Sequence, residues 1–263
     1  MIYTVTLNPS LDYIVDVENL TVGAINRSTK EAIYPGGKGI NVSIILSRLA
    51  PRTVIGFKAG FTGENLEHLV QKEGIKAQLL SVEKGFTRIN VKVRGKEETA
   101  INGAGPEVAE KELADLTTRL EGLGKDDTLV LSGSAPKKAA DTLYADLAAR
   151  MEARGTRCVI DATGMLLTKA LPYHPFLVKP NLEELEEIVG KKLDGLSAIE
   201  IAAQQMQQLG ARNVLVSLGG EGALLIDEKG HAHHTGPQRE KSSIQLVPVT
   251  VWSQVSRRVR KDR

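Results

Sequence analysis

The chain has 263 residues, of which 41% are hydrophobic and 25% are charged, and its formal net charge at pH 7 is +2. This composition is that of an ordinary globular protein and excludes disordered and collagen-like chains. No apolar run reaches the roughly 18 residues of a membrane-spanning helix, and no basic segment followed by an apolar one opens the chain. We therefore expect a cytoplasmic protein with no membrane partner. A single cysteine, Cys158, excludes an internal disulfide.

Basic residues are concentrated in the segment 239–263. Seven lysines and arginines against two acidic residues give this segment a net charge of +5, so the rest of the chain carries −3. A basic segment can bind nucleic acid, but this one contains one tryptophan and no nucleic-acid motif. We expect no nucleic-acid partner, and the change of composition needs another explanation.

Short runs rich in β-branched residues alternate along the chain with amphipathic stretches. The runs predict buried strands at 2–7, 53–57, 128–133, 157–161, 176–180 and 213–219. The amphipathic stretches predict helices at 40–50, 63–74, 108–123, 139–155, 181–190 and 198–210. This alternation predicts an α/β fold in which helices cover both faces of a mostly parallel sheet.

Residues 86–102 depart from this pattern because polar and apolar side chains alternate strictly. Arg88, Asn90 and Lys92 share one face of the predicted strand, and a turn at 94–96 leads into a second strand. Together with the strand-like segments 12–18 and 28–36, this hairpin predicts a small β lid, at about 12–36 and 86–102, outside the parallel sheet.

A glycine-rich segment, Pro-Gly-Gly-Lys-Gly-Ile-Asn at 35–41, stands where a strand ends and a helix begins. Glycines allow a ligand to approach the backbone, and a helix N-terminus offers amide donors, which suits an anion or sugar hydroxyls. A tight turn with a solvated lysine explains the segment equally well. Asp12 follows the first strand, at the edge where open α/β sheets bind ligands, although a turn residue is the simpler interpretation.

Two further strand ends carry candidate residues. Asn181, followed three residues later by Glu184, forms the pattern of a capping box, which needs no ligand to explain it. The glycine-rich segment 217–222 follows another strand and suits either a phosphate or a simple hairpin turn. The turn at 132–134 is not predicted to hold a nucleophile.

The order of these segments is more specific than any one of them. TLNPSLD, PGGKGINV, TRINVK, LSGS, VKPNLEEL and VSLGGEGAL resemble, in this order, the ribokinase-like (PfkB-type) sugar kinases, and the resemblance covers residues 1 to about 238. TRINVK at 87–92 favours the members that act on fructose 1-phosphate. The resemblance implies a three-layer αβα fold, a kinase domain at 1–238, and a β lid that can also form a homodimer contact.

The implied activity is ATP-dependent phosphorylation of fructose 1-phosphate to fructose 1,6-bisphosphate, with Mg²⁺. Tagatose 6-phosphate is the alternative substrate, and a non-catalytic protein that binds a sugar phosphate or nucleotide is the alternative class. An NAD-dependent oxidoreductase is excluded because no dinucleotide fingerprint follows the first strand.

The resemblance also implies roles for individual residues. Those that correspond to the family's sugar-phosphate site are Asp12, Gly37, Lys38, Asn41, Arg88 and Asn90. Those that correspond to its ATP site are Lys179, Asn181, Glu184, Ser217, Gly219 and Gly222, and Glu184 would also act indirectly on Mg²⁺.

The family's Gly-Ala-Gly-Asp element, whose aspartate is the catalytic base, is expected near residue 247 and is absent from the sequence. In the frame that joins the last base of each codon to the first two bases of the next, the codons for Leu246 to Trp252 can give GGT, GCC, GGT, GAC, AGT and ATG. These codons encode Gly-Ala-Gly-Asp-Ser-Met. We therefore predict a one-base frameshift upstream of Ser243, an aberrant tail at 239–263 without a catalytic residue, and no useful kinase activity in a chain with this tail.

Overall fold

The computed structural model describes residues 1–47, 51–136 and 141–236, so the predicted aberrant tail lies outside the described residues. These residues form a nine-stranded sheet and a separate four-stranded sheet. The strands are β1 Ile2–Thr6, β2 Ser10–Asp16, β3 Lys30–Gly36, β4 Arg52–Lys58, β5 Lys76–Ser81, β6 Arg88–Arg94, β7 Glu98–Asn102, β8 Thr128–Ser132, β9 Arg157–Asp161, β10 Leu177–Val178, β11 Val214–Ser217, β12 Ala223–Ile226 and β13 Ala232–Thr235.

The large sheet has the strand order β13-β12-β11-β10-β9-β8-β1-β4-β5. The seven strands from β11 to β5 in this order (β11, β10, β9, β8, β1, β4 and β5) are parallel to one another. Strand β12 pairs antiparallel with β11, and β13 pairs antiparallel with β12. The helices are α1 Lys38–Leu46, α2 Gly60–Lys72, α3 Glu110–Leu120, α4 Leu143–Ala153, α5 Gly164–Thr168, α6 Leu182–Val189 and α7 Gly195–Gln208. None of the helices in the described part of the chain is long and apolar enough to span a membrane.

Side-chain alternation along the strands divides the core between the two faces of the large sheet. Leu129 and Leu131 of β8 pack in the cluster that includes the buried residues of α3 to α7. Val130 faces the opposite side, where it packs against Val42 of α1. Leu66 of α2 packs with Ile40 of α1 in a third cluster. Helices α1 and α2 therefore cover one face and α3 to α7 the other, which confirms the predicted three-layer αβα architecture.

The small sheet is the predicted β lid, with the order β3-β2-β6-β7. The hairpin of β6 and β7 is confirmed, with Arg94 opposite Glu98. Strand β2 runs antiparallel to β3 and parallel to β6. One face of the lid is polar, while the other exposes apolar side chains, with Ile33 54% exposed, Ile89 36% and Ile101 63%.

The six predicted strands of the core are all present, although β10 is only two residues long. Strands β5 and β13 were not predicted. Strand β13 reads Ala-His-His-Thr and β5 begins Lys-Ala-Gln, so neither carries the continuous apolar run used to identify a core strand. Among the described strands, both lie at the edges of the large sheet, where a strand has a neighbour on one side and burial is lower.

Candidate functional site

Four polar residues end neighbouring parallel strands of the large sheet. Ser132 of β8 is aligned with Asp161 of β9, and the register of β1 with β8 and of β9 with β10 places Thr6 and Lys179 next to them. All four are buried. Because ligands of open α/β sheets bind outside the carboxyl ends of the strands, this row marks the candidate site.

Asp161 is the charged centre of this row. Its Oδ1 lies 3.1 Å from Lys179 Nζ and 3.7 Å from Lys38 Nζ, and Lys38 Nζ is also 3.6 Å from Glu184 Oε1. A buried carboxylate is costly unless it is paired, and the two lysines supply the compensating charge. Asp161 was not among the predicted site residues, because a polar residue at the end of one predicted strand does not by itself mark a site.

The pairing of Lys179 bears on its predicted role at ATP. Its ammonium group is buried and lies against Asp161, while Lys38 is 40% exposed between the two carboxylates. ATP binding by Lys179 stays a prediction. Lys38 is a predicted sugar-phosphate residue, whereas its ion-pair partner Glu184 is a predicted ATP residue. Lys38 therefore lies where the two predicted sites meet.

The N-terminus of α1 depends on two glycines. Gly37 caps the helix with φ +103°, in the left-handed region that favours glycine. Gly36 has Asp12 beside it, and a Cβ at Gly36 would lie 2.4 Å from Asp12 Oδ1. The predicted ligand Asn41 lies in the first turn of α1 and is partly exposed. The glycine segment therefore brings the start of α1 against the polar face of the lid.

Asp12, Ser10 and Asn90 form a hydrogen-bonded group on that polar face. Asp12 Oδ1 accepts hydrogen bonds from Ser10 Oγ at 2.7 Å and from Asn90 Nδ2 at 2.9 Å. Asp12 Oδ2 lies 3.8 Å from Lys92 Nζ. The Oδ1 atom of Asn90 is buried and has no hydrogen-bond partner within the described ranges. A buried acceptor without a partner is rare, and a ligand hydroxyl would satisfy it.

Arg88 is held in place by backbone carbonyl groups. Its Nε donates to Asn8 O at 3.1 Å, and its Nη1 donates to Gly103 O at 3.4 Å. Burial lowers the pKa of Arg88 and the nearby Asp12 carboxylate opposes this shift, but the guanidinium stays charged at neutral pH. Two of its donors are used by the backbone, so the others remain available to a ligand.

A cleft of about 230 Å³ joins these parts. Its lining residues come from the strand ends, the start of α1 and the lid, and they are Thr6, Asn8, Lys38, Arg88, Ser132, Gly133, Ser134 and Thr163. The structure therefore brings Lys38 and Arg88 together, although 50 positions separate them in the sequence. The turn at 132–134, for which the sequence predicted no function, also lines this cleft.

The predicted ATP residues lie at the ends of β10 and β11. Asn181 Oδ1 accepts a hydrogen bond from Glu184 N at 2.7 Å, and Glu184 Oε2 accepts one from Asn181 N at 3.0 Å, so the capping box is confirmed. Ser217 and Asn181 form an isolated parallel β-bridge. Gly219 has open space around its Cβ position, whereas a Cβ at Gly222 would lie 1.9 Å from Thr235 O. Packing against β13 thus explains Gly222 without a ligand.

The sequence pattern of the pfkB family carbohydrate kinases matches residues 5–243. The chain belongs to the pfkB family of carbohydrate kinases. A 1-phosphofructokinase of Bacillus subtilis is 42% identical over 227 residues, which are 86% of this chain and 75% of that protein. A D-tagatose-1-phosphate kinase of Bacillus licheniformis is 34% identical over 232 residues, 87% of this chain and 76% of its own length.

A solved structure supports the same family membership. The crystal structure of phosphofructokinase-2 from Escherichia coli in complex with fructose-6-phosphate matches with a TM-score of 0.91 and 30% identity, and the match covers 99% of this chain and 87% of that one. The predicted ribokinase-like fold and the predicted kinase class are therefore confirmed.

Proposed function

We propose that the cleft between the lid and the large sheet binds fructose 1-phosphate, and that the family reaction is its ATP-dependent phosphorylation to fructose 1,6-bisphosphate. The observation that carries this proposal is the cleft lined by two cations, Lys38 and Arg88, with the Asp12 and Asn90 group on the same lid face as Arg88. Arginine and lysine suit a phosphate group, while carboxylate and amide oxygens suit hydroxyls. The relative named 1-phosphofructokinase supports the choice of sugar phosphate.

Each residue has a separate task in this proposal. Asp12 Oδ2 and the unpartnered Asn90 Oδ1 accept hydrogen bonds from the sugar hydroxyls. Gly37 and Asn41, at the start of α1, complete the sugar site from the other side. Arg88 donates to the phosphate that the substrate already carries.

The ATP side of the proposal uses the ends of β10 and β11. The residues are Lys179, Asn181, Glu184, Ser217, Gly219 and Gly222. The open space at Gly219 leaves room for a nucleotide. Lys38 links the two sides, because it lines the sugar cleft and lies 3.6 Å from Glu184 Oε1, so it can reduce the repulsion between two phosphate groups.

The residues also fit Mg²⁺ in the manner that the cation uses with nucleotides. Mg²⁺ is commonly held by one or two carboxylates together with phosphates and water. Asp161 and Glu184 both lie within 4 Å of Lys38 Nζ, and no larger cluster of metal-binding side chains occurs in the described part of the chain. Asp161 is already paired with Lys179 and Lys38, so we propose Glu184, acting indirectly, for Mg²⁺. The bound cation would neutralise charge on the transferring phosphoryl group.

The proposal assigns binding to this chain but no general base, because the sequence contains no Gly-Ala-Gly-Asp. We attribute this absence to a single-base frameshift upstream of Ser243, and the family match, which stops at residue 243, supports this explanation. In this proposal residues 1–238 are the kinase domain and 239–263 are an aberrant tail. The cytoplasmic location expected from the sequence is part of the same proposal.

A second substrate has specific support. Relatives from Bacillus licheniformis and Klebsiella oxytoca are named D-tagatose-1-phosphate kinase, at 34% and 30% identity. Fructose and tagatose are both ketoses, and as 1-phosphates they present the phosphate at the same carbon. The phosphate-binding part of the proposal is therefore shared, and the choice rests on the Asp12 and Asn90 group.

The lid supplies the proposed contact between two copies of the chain. Ile33, Ile89 and Ile101 are exposed on the lid face opposite Asp12 and Asn90. Exposed apolar groups of this kind mark interaction surfaces. We propose a homodimer in which these faces pack together.

The kinase proposal is tested with two genes, the present one and one in which a single base restores the frame upstream of codon 243. ADP formation is measured with fructose 1-phosphate, tagatose 1-phosphate and tagatose 6-phosphate. We expect the frame-restored protein to prefer fructose 1-phosphate and the present chain to be inactive. Turnover by the present chain would contradict the frameshift, and a preference for a tagatose phosphate would contradict the substrate.

A further inference from the structure

Two hydrogen bonds of Gly133, to two different partners, fix the turn that follows β8. Gly133 N donates to Asp161 O at 3.0 Å, and Gly133 O accepts a hydrogen bond from the hydroxyl of Tyr144 at 3.1 Å. Gly133 has φ +93°, so the turn is a backbone conformation that most side chains disfavour. Glycine adopts this conformation freely but does not enforce it, so contacts outside the turn are what fix its position.

Tyr144 is the residue of α4 that supplies one of these contacts. Its side chain is fully buried in the core cluster on the α3 to α7 side of the sheet. Burial raises the pKa of Tyr144, so the hydroxyl stays protonated and acts as a donor. A phenylalanine would fill the same space without needing a polar partner. Packing alone thus does not require the Tyr144 hydroxyl, whereas the hydrogen bond to Gly133 O does.

The turn held by Tyr144 forms part of the cleft wall. A Cβ at Gly133 would lie 3.5 Å from Lys38 Cβ, so the turn packs along the stem of this lysine. Ser132 precedes it, and Ser132 Oγ is buried without a hydrogen-bond partner in the described ranges. Lys38 and Ser132 both line the cleft. A shift of the turn would move a charged group and a hydroxyl that face the same ligand.

We propose that Tyr144 is a positioning residue for phosphate binding: its hydroxyl holds the Gly133 turn so that Lys38 and Ser132 face the anion. The inference rests on the proposed function, because it takes the cleft to be the sugar-phosphate site. It differs from that function in assigning a role to a core residue that does not touch the ligand.

The test compares Tyr144→Phe with Tyr173→Phe in the full chain. Tyr173 packs against the same core cluster but does not line the cleft, so it is a matched loss of a hydroxyl. Hydrogen exchange of the Gly133 amide is followed by NMR without ligand. Calorimetric titrations with fructose 1-phosphate and with inorganic phosphate follow on the same samples.

We expect Tyr144→Phe to speed exchange at Gly133 and to weaken the binding of both ligands by roughly 2- to 10-fold, the value of one neutral hydrogen bond. Tyr173→Phe should change neither. Unchanged exchange at Gly133, faster exchange with unchanged affinity, or equal effects of the two variants would each overturn the inference.

The two ligands separate this inference from the proposed function. If the unmodified chain binds inorganic phosphate but not fructose 1-phosphate, the proposed substrate is wrong, and a weaker phosphate affinity in Tyr144→Phe still supports the positioning role. If the unmodified chain binds neither ligand, the cleft is not an anion site, and both proposals are wrong.

Discussion

Replacement of Arg88 by alanine perturbs the proposed phosphate contact most directly. The guanidinium is half-buried, and hydrogen bonds to Asn8 O and Gly103 O fix it at the junction of the lid and the large sheet. A guanidinium has five N–H donors, and two are used by these carbonyl groups. The remaining donors belong to a side chain that lines the cleft. The variant therefore removes a fixed positive charge and its ligand-facing donors together.

The expected magnitude follows from the type of contact. A hydrogen bond to a charged group contributes about 1.5 to 3 kcal/mol, so the dissociation constant for fructose 1-phosphate should rise by about 10- to 150-fold in Arg88→Ala. The variant also loses two hydrogen bonds to backbone carbonyl groups, at about 0.5 to 1.5 kcal/mol each. Arg88→Lys retains the charge without the planar guanidinium, so its dissociation constant should fall between those of the unmodified chain and Arg88→Ala.

Calorimetric titration with fructose 1-phosphate measures these affinities, and a thermal melt of each variant monitors its stability. The matched control is Arg94→Ala, because Arg94 lies on the same face of β6 but pairs with Glu98 away from the cleft. Arg94→Ala should bind like the unmodified chain. An Arg88→Ala protein that melts cooperatively and binds fructose 1-phosphate with unchanged affinity would refute the reasoning, since Arg88 would then be an ordinary lid charge.

Three further predictions concern the glycine segment, the capping box and the tail. Gly36→Ala places a Cβ 2.4 Å from Asp12 Oδ1, so Asp12 must move, and calorimetry should show fructose 1-phosphate affinity about 10-fold weaker at a cost of roughly 1.4 kcal/mol; an unchanged affinity would exclude Asp12 from the site. Asn181→Ala loses the α6 cap, which should lower the free energy of unfolding by ~1 kcal/mol and the melting temperature in scanning calorimetry by about 2 to 4 °C. An unchanged melting temperature would count against the cap. DNA sequencing across codons 235–263 should reveal an alternative frame encoding Gly-Ala-Gly-Asp, and a closed alternative frame would rule out the frameshift.

Local patterns in the sequence were sufficient for most of the fold. The strict alternation around Arg88 predicted β6, and the β-branched run at 128–133 predicted β8, because burial on one or both faces leaves a periodic trace in the chain. The parallel pairing of β2 with β6 could not be predicted, since it joins segments that are far apart in the sequence. The sequence contains no local signal for which edge strand a lid hairpin will pair with.

The residues of the candidate site could likewise be predicted only in part. Asp12, Lys38 and Arg88 stand in recognisable segments, and their resemblance to a family was enough to select them. Asp161 and Ser132 were missed because each ends an ordinary strand, and only the register across β8 and β9 aligns them with each other. A polar residue at the end of one strand is common. Its meaning depends on neighbours that the sheet supplies.

The measurement that most directly tests the account is a calorimetric titration of the present chain with fructose 1-phosphate, fructose 6-phosphate and fructose. Lys38 and Arg88 line one cleft, so the account predicts that fructose 1-phosphate binds at one site and that fructose, which lacks the phosphate, binds at least about 10-fold more weakly. Fructose 6-phosphate should bind more weakly than fructose 1-phosphate. Equal affinities for fructose and fructose 1-phosphate, or no binding of either, would contradict the assignment of this cleft to a ketose 1-phosphate.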